Sequence, residues 1–371
     1  MSIKSTERLR RGTAETLLLH GPATRMPNNF HKFLCSDENK KQLIQLLLSE
    51  WSSDMYASLL KDRELFFVCE DQCTLITSHD SISTEITQIK DLYSSQEEAD
   101  TRIFLHLDYI NSHYPNQSVT VRSTDTDVFI LFLYFYSQFK SCKELLFDTG
   151  VGDKRRVIDI RSASKSFSDD FLEALPGLHA FSGCDTTSAF IRQGKAKPLR
   201  ILEKNACFLS FFTNLGQNED VVETTKIGLE KFTCFLYGCQ GVHNINSVRH
   251  LKATEKFLSK KSLISPSTNA DLSLLPPCLH TLELHIKRSN YQALIWKKST
   301  QAYPVIPSPF DYGWKNFNGQ ICVNWGDELF PKEIEDILED HPEEIENFDV
   351  SNADICLDEL DICSDDESDV E

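Results

Sequence analysis

Residues 119–135 read VTVRSTDTDVFILFLYF, and this stretch constrains the fold more than any other. Apolar side chains alternate at Val119 and Val121, which is typical of a strand with one buried face. A short polar turn follows and leads directly into an apolar run with the period of a helix. The turn carries Asp125 and Asp127, so both carboxylates lie at the carboxyl end of a predicted strand. In open α/β sheets this edge is where ligands bind.

Three further acids, Glu98, Asp100 and Asp185, lie at similar element boundaries. Helix capping explains two of them equally well, because Ser95 and Glu98 fit a capping box and Asp100 suits the positive end of the dipole of a predicted helix at 95–110. If all these acids converge, they repel one another unless cations fill the site. Oxygen ligands favour Mg²⁺ or Mn²⁺ over zinc, and two such ions about 4 Å apart can clamp a phosphodiester during hydrolysis.

The net charge of −18 is concentrated at one end of the chain. Residues 327–371 hold 20 Asp or Glu and one Lys, a net charge of −19, whereas the other 326 residues hold 36 acids and 37 Lys or Arg, a net charge of +1. An acidic tail therefore follows a neutral body, and the overall pI says little about what the body binds. The tail lacks core residues, and we predict that it is disordered.

The twelve cysteines show no disulfide framework and no CxxC pair. Cys239 with His243 and His250 could form a zinc site, although buried free thiols at helical spacing explain the same residues. Free thiols are typical of an intracellular protein. The first residues lack the apolar segment of a secretory signal, and the longest apolar run, 128–136, is shorter than the ~20 residues that span a bilayer.

Hydrophobic periodicity predicts the other elements. An amphipathic helix is expected at 37–60 with Asp37 as its N-cap, and a second helix at 170–175 is expected to stop before Pro176. The predicted strands are 65–69, 74–77, 144–147 and 156–160, of which the first two form a hairpin. Mainly helical sequence is predicted at 205–260, a Ser/Pro-rich linker at 262–277, a helix at 279–298 with Trp296 inward, and irregular chain at 304–325.

Basic side chains cluster in three places. The start of the chain, a helix or a loose arm whose simplest interpretation is a solvated face, carries Lys4, Arg8, Arg10 and Arg11. Residues 175–202 form a helix-turn-helix pattern around Gly194 and Lys195, where amides and lysines can hold a phosphate, although an ordinary helix pair fits as well. The outward face of the predicted helix at 279–298 carries Lys287, Arg288, Lys297 and Lys298.

Three motifs, taken in order, resemble one family. They are EEADTRI at 97–103, STDTDVFIL at 123–131 and GCDTTSAFIRQGKAKPLRIL at 183–202. Together they resemble the successive motifs of PIN-like nucleases of the flap-endonuclease (XPG) type, and most closely a group of animal proteins that carry ADTRI, DTDV and GCDTTSAF. The resemblance covers residues 1–205. It implies an α/β domain with a PIN-like, mostly parallel central sheet flanked by helices. Pattern and composition predict that this domain is followed by a helical extension (206–260), a segment with a linker, a helix and an aromatic, Pro-rich stretch (261–326), and the acidic tail (327–371).

Carried over residue by residue, the resemblance implies a set of catalytic metal ligands. They are Glu98, Asp100, Asp125, Asp127 and Asp185, and the ions they bind would be Mg²⁺ or Mn²⁺. Lys195 and Lys197 would lie in the turn that holds a DNA duplex. The arm of Lys4, Arg8, Arg10 and Arg11 would contact backbone phosphates without reading sequence.

The start of the chain departs from the family pattern. SIKSTERLRR, at 2–11, resembles a basic segment that follows a Phe-Asp strand end in the family, so the early carboxylates and two central strands are expected to be missing. Loss of ligands from a two-metal site removes most activity. We therefore expect either a divergent metal-dependent, structure-specific nuclease for DNA flaps or junctions, incomplete here, or a non-catalytic PIN-like scaffold whose acidic tail binds a basic protein. Both hypotheses place the protein inside the cell, in the nucleus rather than the cytoplasm.

Overall fold

Helices and short strands follow one another in a mixed α/β fold. The computed structural model describes residue 3, residues 16–257 and residues 272–326. The helices are α1 (Phe30–Phe33), α2 (Asp37–Trp51), α3 (Ala57–Leu60), α4 (Ala99–His113), α5 (Thr126–Phe135), α6 (Ile160–Ser164), α7 (Asp169–Ser182), α8 (Ala196–Lys204), α9 (Leu209–Asn214), α10 (Glu223–Leu236), α11 (Ile245–Phe257) and α12 (Leu279–Lys297). Single 3₁₀ turns lie at Asp54–Tyr56, Lys90–Leu92, Gly152–Lys154, Ala206–Phe208, Leu272–Leu274 and Pro309–Tyr312.

The strands of the described residues form three small sheets. They are β1 (Leu65–Cys69), β2 (Gln72–Thr77), β3 (Glu85–Gln88), β4 (Ser118–Arg122), β5 (Glu144–Thr149), β6 (Arg156–Asp159), β7 (Trp314–Phe317) and β8 (Gln320–Val323). β1–β2–β3 and β7–β8 are antiparallel, whereas in the order β4–β5–β6 the first pair is parallel and the second antiparallel. The α/β class is confirmed, but this one parallel pair does not establish the expected PIN-like, mostly parallel sheet.

The β4–α5 unit forms as its sequence predicts. Val119 and Val121 are buried, and β4 runs beside β5 with Val121 opposite Phe147. α5 is apolar on almost every side, so it must be covered by other elements to be stable in water. It packs between α4, α6 and α7. The turn between β4 and α5 is therefore fixed at the carboxyl end of a buried strand.

Helix α7 is where the helical layers meet, because it packs against α5, α8, α9 and α12. Phe181 lies in ring contact with Phe190, Phe212 and Phe232, at centroid distances of 5.3, 5.7 and 6.2 Å. Such tilted and edge-to-face pairs add to the stability that apolar burial supplies. One hydrophobic core consequently runs from β4 and β5 through α7 to Trp296 of α12.

Contacts divide the chain into a unit of residues 1–325 and a second unit of residues 326–371. The boundaries predicted at residues 205 and 260 stay predictions. The basic arm of Lys4, Arg8, Arg10 and Arg11, most of the Ser/Pro-rich linker and the acidic tail lie outside the described residues.

Most of the predicted strands and helices are confirmed. β1 and β2 form the expected hairpin, β5 and β6 lie where two strands were predicted, and α9, α10 and α11 make residues 205–260 mainly helical. Sequence reasoning missed β3, whose four residues are all exposed and carry no apolar alternation. It also missed the β7–β8 hairpin in a segment expected to be irregular.

Two predicted helix starts are wrong. Ser36 rather than Asp37 caps α2, because its hydroxyl accepts a hydrogen bond from the amide of Asn39 at 3.3 Å. α2 also ends at Trp51, well before residue 60. The expected Ser95–Glu98 capping box is absent, since α4 begins only at Ala99 and the Glu98 side chain makes no capping hydrogen bond.

The helix that was expected to stop before Pro176 continues through it to Ser182. An internal proline removes one backbone hydrogen bond and costs about 3 kcal/mol. Burial of nearly every side chain between Phe171 and Ser182 outweighs that cost. Tertiary packing has therefore overridden a local helix-breaking signal.

Helix α12 agrees with its prediction except on one face. Trp296 is buried as expected, but Arg288, which was expected to point outward, is fully buried. The reason is the missed hairpin, because Arg288 Nη1 donates hydrogen bonds to the carbonyl oxygens of Gly313 and Asn324, which flank β7 and β8. None of the described helices has the length and apolar character needed to cross a bilayer.

Gly177 lets α7 approach α9, because a Cβ there would overlap the carbonyl oxygen of Phe212. Replacement of Gly177 by Ala should lower the free energy of unfolding by about 1–3 kcal/mol, the usual cost of overpacking a core. Urea unfolding measures the change. Gly241→Ala is the matched control, because a Cβ there meets no heavy atom within 4 Å. Equal losses in the two variants would contradict the close approach of α7 and α9.

Candidate carboxylate site at the end of β4

The turn after β4 holds Asp125 and Asp127 in a defined geometry. Asp125 is the N-cap of α5, and its Oδ1 accepts a hydrogen bond from the amide of Asp127 at 2.8 Å. The Ser123 hydroxyl accepts one from the amide of Asp125 at 3.0 Å, and the Ser123 amide donates to the carbonyl oxygen of Asp148 at 3.1 Å. The predicted position at the strand end is confirmed, and Asp125 has the structural role of a cap as well.

Asp127 is buried and contacts a histidine that sequence reasoning missed. Its Oδ1 lies 2.7 Å from Nε2 of His179 on α7, and the two side chains are only 10% and 7% exposed. The imidazole ring also stacks on Trp296, with 5.5 Å between centroids. The site is therefore built by the sheet edge, α7 and α12 together.

The other nitrogen of this imidazole faces Lys195, whose Nζ lies 3.2 Å from Nδ1 of His179. Three further acceptors lie around the same ammonium, the carbonyl oxygens of His179, at 3.0 Å, and of Gly183, and the Ser182 hydroxyl at 3.2 Å, so its three N–H groups are shared among four acceptors. An ammonium can only donate, so Nδ1 is the acceptor and Nε2 carries the proton shared with Asp127. Burial of the ammonium lowers the pKa of Lys195, although the residue as a whole is exposed.

The GCDTT loop is held by its own side chains. The amide of Cys184 donates to the Thr187 hydroxyl at 3.0 Å, which donates to the carbonyl oxygen of Ala180 at 2.6 Å. The Thr186 hydroxyl donates to Oε1 of Gln292 on α12 at 2.5 Å. Burial, followed by the nearby Asp127 carboxylate, raises the pKa of the Cys184 thiol. The loop thus lies against the Asp127 site, whereas Asp185 itself is exposed.

Glu98 and Asp100 lie at the start of α4 and are half-buried. Glu98 and Thr186 line the same cleft, which has a volume of about 580 Å³, so α4 and the GCDTT loop share one surface. Across the described ranges, however, no group of three or more His, Cys, Asp or Glu side chains is arranged to hold a metal ion. Within these ranges, neither the predicted acids nor Cys239 with His243 and His250 form such a group.

The predicted nucleic-acid-binding lysines lie on either side of the start of α8. Lys195 directs its ammonium inward, whereas Lys197 is exposed and donates to Oε1 of Gln193 at 3.0 Å. Burial, followed by repulsion from Lys252, lowers the pKa of Lys197. Residues 183–195 separate α7 from α8, which is a longer connection than the turn of ~3–4 residues in a helix-turn-helix.

A second acid at this sheet edge, Asp148, was also missed. It is the penultimate residue of β5 and lies opposite Arg122, which donates to it at 2.6 Å, and Arg155 Nε and Nη2 donate at 2.9 and 2.8 Å. Arg155 first and Arg122 next hold the pKa of Asp148 down to about 2. The sequence carried a signal for Asp148, because this acid directly follows the strand predicted at 144–147 (LLFDT), much as Asp125 follows the strand in VTVRSTD. For His179 the only signal was its place six residues before Asp185, which a buried core histidine explains equally well.

The chain was compared with protein-family models, curated proteins and solved structures. No family model, no curated protein and no solved structure matches it significantly.

Replacement of Asp148 by Asn should reduce stability in a pH-dependent way. The folded-state pKa of about 2 lies below the ordinary value of 3.8, so the carboxylate stabilises the fold fully above pH ~4 and this contribution is lost as the pH falls towards 2. Urea unfolding of wild type and variant between pH 2.5 and 6 should show a difference that shrinks with acidity. Asp153→Asn, at an exposed position, is the control. A difference that stays constant over this range would contradict the ion pairs.

Proposed function

We propose that this chain is a nuclease-derived, PIN-like protein that binds the DNA phosphodiester backbone with little or no hydrolysis of its own. Three features support the relationship. The Asp-x-Asp turn follows a strand that pairs in parallel with its neighbour, an acidic pair opens a helix, and the GCDTT loop lies against the same edge.

The observation that carries the loss of hydrolysis is the contact between Asp127 and His179. In a two-metal site Asp127 would be a central ligand, but here its Oδ1 is engaged by a buried imidazole. The Lys195 ammonium on the far side of that ring adds a positive charge that interacts with Asp127 and so disfavours a cation beside this carboxylate. This contact disfavours the binding of two Mg²⁺ or Mn²⁺ ions through Asp127.

Binding of the backbone is supported by the exposed basic side chains around the start of α8. Arg192, Lys197 and Arg200 are exposed there, and Lys252 lies close enough to Lys197 to affect its pKa. Contacts of this kind neutralise phosphates, and their strength depends on salt but not on base sequence.

Cleavage and binding of DNA test this function in one experiment. Purified full-length protein is incubated with flap and single-stranded DNA in Mg²⁺ or Mn²⁺, beside Asp125→Asn plus Asp127→Asn. We expect neither protein to cut, because Oδ1 of Asp127 is engaged by His179. We expect both to bind flap DNA, with an affinity that falls as salt rises.

The matched control is Asp108→Asn plus Asp153→Asn, which removes the same charge from exposed positions outside the predicted ligand set. Cleavage by the wild type and by this control, but not by Asp125→Asn plus Asp127→Asn, would reject the proposal. It would show instead that the chain is an active nuclease that depends on these two acids. Absence of both cleavage and DNA binding would reject it as well. A third variant, Arg192→Gln with Lys197→Gln and Arg200→Gln, should bind more weakly and with a smaller dependence on salt.

The charge distribution favours a second candidate, in which the chain is a scaffold and residues 327–371 bind a basic partner or compete with DNA for basic side chains. Removal of these residues, with their net charge of −19, should raise DNA affinity at low salt and have less effect as salt rises. Fluorescence anisotropy with labelled flap DNA at 50 and 300 mM salt measures both effects. Equal affinities with and without the tail at low salt would count against this role.

A further inference from the structure

A second cavity, of about 310 Å³, lies beside the segment that follows the GCDTT loop. Phe190 and Ile191 of that segment, Tyr237 after α10, and Leu275 form largely apolar walls. Two polar residues of α12, His285 and Arg288, also line it. No Asp, Glu or Lys is among the described lining residues, so Arg288 supplies the formal charge of the cavity.

Two of the five N–H donors of Arg288 are in use. The side chain is fully buried, and Nη1 donates to the carbonyl oxygens of Gly313 at 3.1 Å and Asn324 at 3.0 Å. Nε and Nη2 are buried and make no hydrogen bond, and within the described residues Arg288 forms no ion pair. The Trp325 ring lies over the guanidinium at 5.6 Å from Cζ and is itself 59% exposed, so it separates Arg288 from solvent on that side.

The unused N–H groups on Nε and Nη2 determine which kind of ligand Arg288 can bind. Nε–H and Nη2–H lie on one edge of the planar guanidinium, and this edge binds two oxygens of a carboxylate or phosphate in parallel. Burial lowers the pKa of Arg288 to about 10, so the group still carries its charge at neutral pH. A buried charge without a counter-ion is costly, and an oxyanion would remove that cost.

His285 adds a hydrogen-bond acceptor. Its Nε2 lies 2.7 Å from the carbonyl oxygen of Phe181, which can only accept, so Nε2 carries the proton and Nδ1 is a bare acceptor. Nδ1 is buried and makes no hydrogen bond to any residue that the structure describes. Burial lowers the pKa of His285 to about 4, so the ring is neutral above that pH.

We propose that this cavity binds the monoanion of a phosphate monoester that carries an apolar substituent. Two phosphate oxygens accept hydrogen bonds from Nε and Nη2 of Arg288, the P–OH group donates to Nδ1 of His285, and the substituent packs on Phe190 and Tyr237. A carboxylate or a phosphodiester satisfies the arginine but leaves Nδ1 without a donor. The site is separate from the Asp127 site and does not depend on the proposed function.

The pH dependence of binding distinguishes this ligand from other oxyanions. A phosphate monoester loses its P–OH proton with a pKa of about 6, so the monoanion prevails at pH 5.5 and is scarce at pH 7.5. The titratable groups of the lining do not change over this range, because the pKa of His285 is about 4, that of Arg288 about 10 and that of Tyr237 about 12. A change in affinity between these pH values therefore belongs to the ligand.

The test measures binding of phenyl phosphate to the full-length protein by calorimetry and by thermal shift at pH 5.5 and 7.5. We expect binding more than about tenfold tighter at pH 5.5, the factor that follows from the fraction of monoanion. Methyl phenyl phosphate, a diester with one charge and no P–OH, and benzoate should bind weakly and equally at both pH values. Equal binding of the monoester and the diester, or no detectable binding of phenyl phosphate, would overturn the proposal.

Two variants locate the site. Arg288→Met should weaken binding of phenyl phosphate at least about tenfold, the usual effect of removing a bidentate charged pair. Lys287→Met removes the same charge from the exposed neighbouring position and should leave affinity within twofold. Unchanged binding in a folded Arg288→Met protein would place the ligand elsewhere and reject the site. If Arg288→Met does not fold, the comparison of monoester and diester on the wild type decides the question alone.

Discussion

The hydrogen bond between Asp127 and His179 joins the end of the β4 strand to the central helix α7. Asp127 belongs to the turn at the end of β4, and His179 to the helix on which α5, α9 and α12 meet. Both side chains are buried, so each satisfies a polar group that would otherwise destabilise the fold. The same contact fixes the tautomer of the imidazole and, through Nδ1, the position of Lys195. The positions of Asp127, His179 and Lys195 at the sheet edge therefore depend on how α7 packs.

Elements whose signals are local could be predicted from the sequence. The β4 turn with Asp125 and Asp127, the β1–β2 hairpin and α12 have strong periodicity, and each lies where it was expected. Elements that depend on distant contacts could not. α7 passes through Pro176 because its side chains are buried by helices later in the chain, and Arg288 is buried by a hairpin in a segment whose prolines and glycines predicted irregular chain.

The candidate site was predictable in its residues but not in their partners. A sequence lists carboxylates at strand and helix ends, and the resemblance arranges them as ligands of one cluster. Whether a carboxylate binds a cation or a protein group depends on what faces it. For Asp127 that group is an imidazole from residue 179, and for Asp148 it is two guanidinium groups. Neither pairing has a spacing that could be recognised without the fold.

Helix α7 has a consequence for how the chain acquires its structure during synthesis. Its apolar face is completed by α12, which begins at Leu279, roughly one hundred residues after α7 ends at Ser182. Until that later helix has left the ribosome, Phe181 and its neighbours have no complete partner surface. Exposed apolar surface of this kind promotes aggregation and recruits chaperones. The nascent chain thus passes through a long vulnerable interval, and the motifs that pack on α7 reach their final geometry only after α12 has been synthesised.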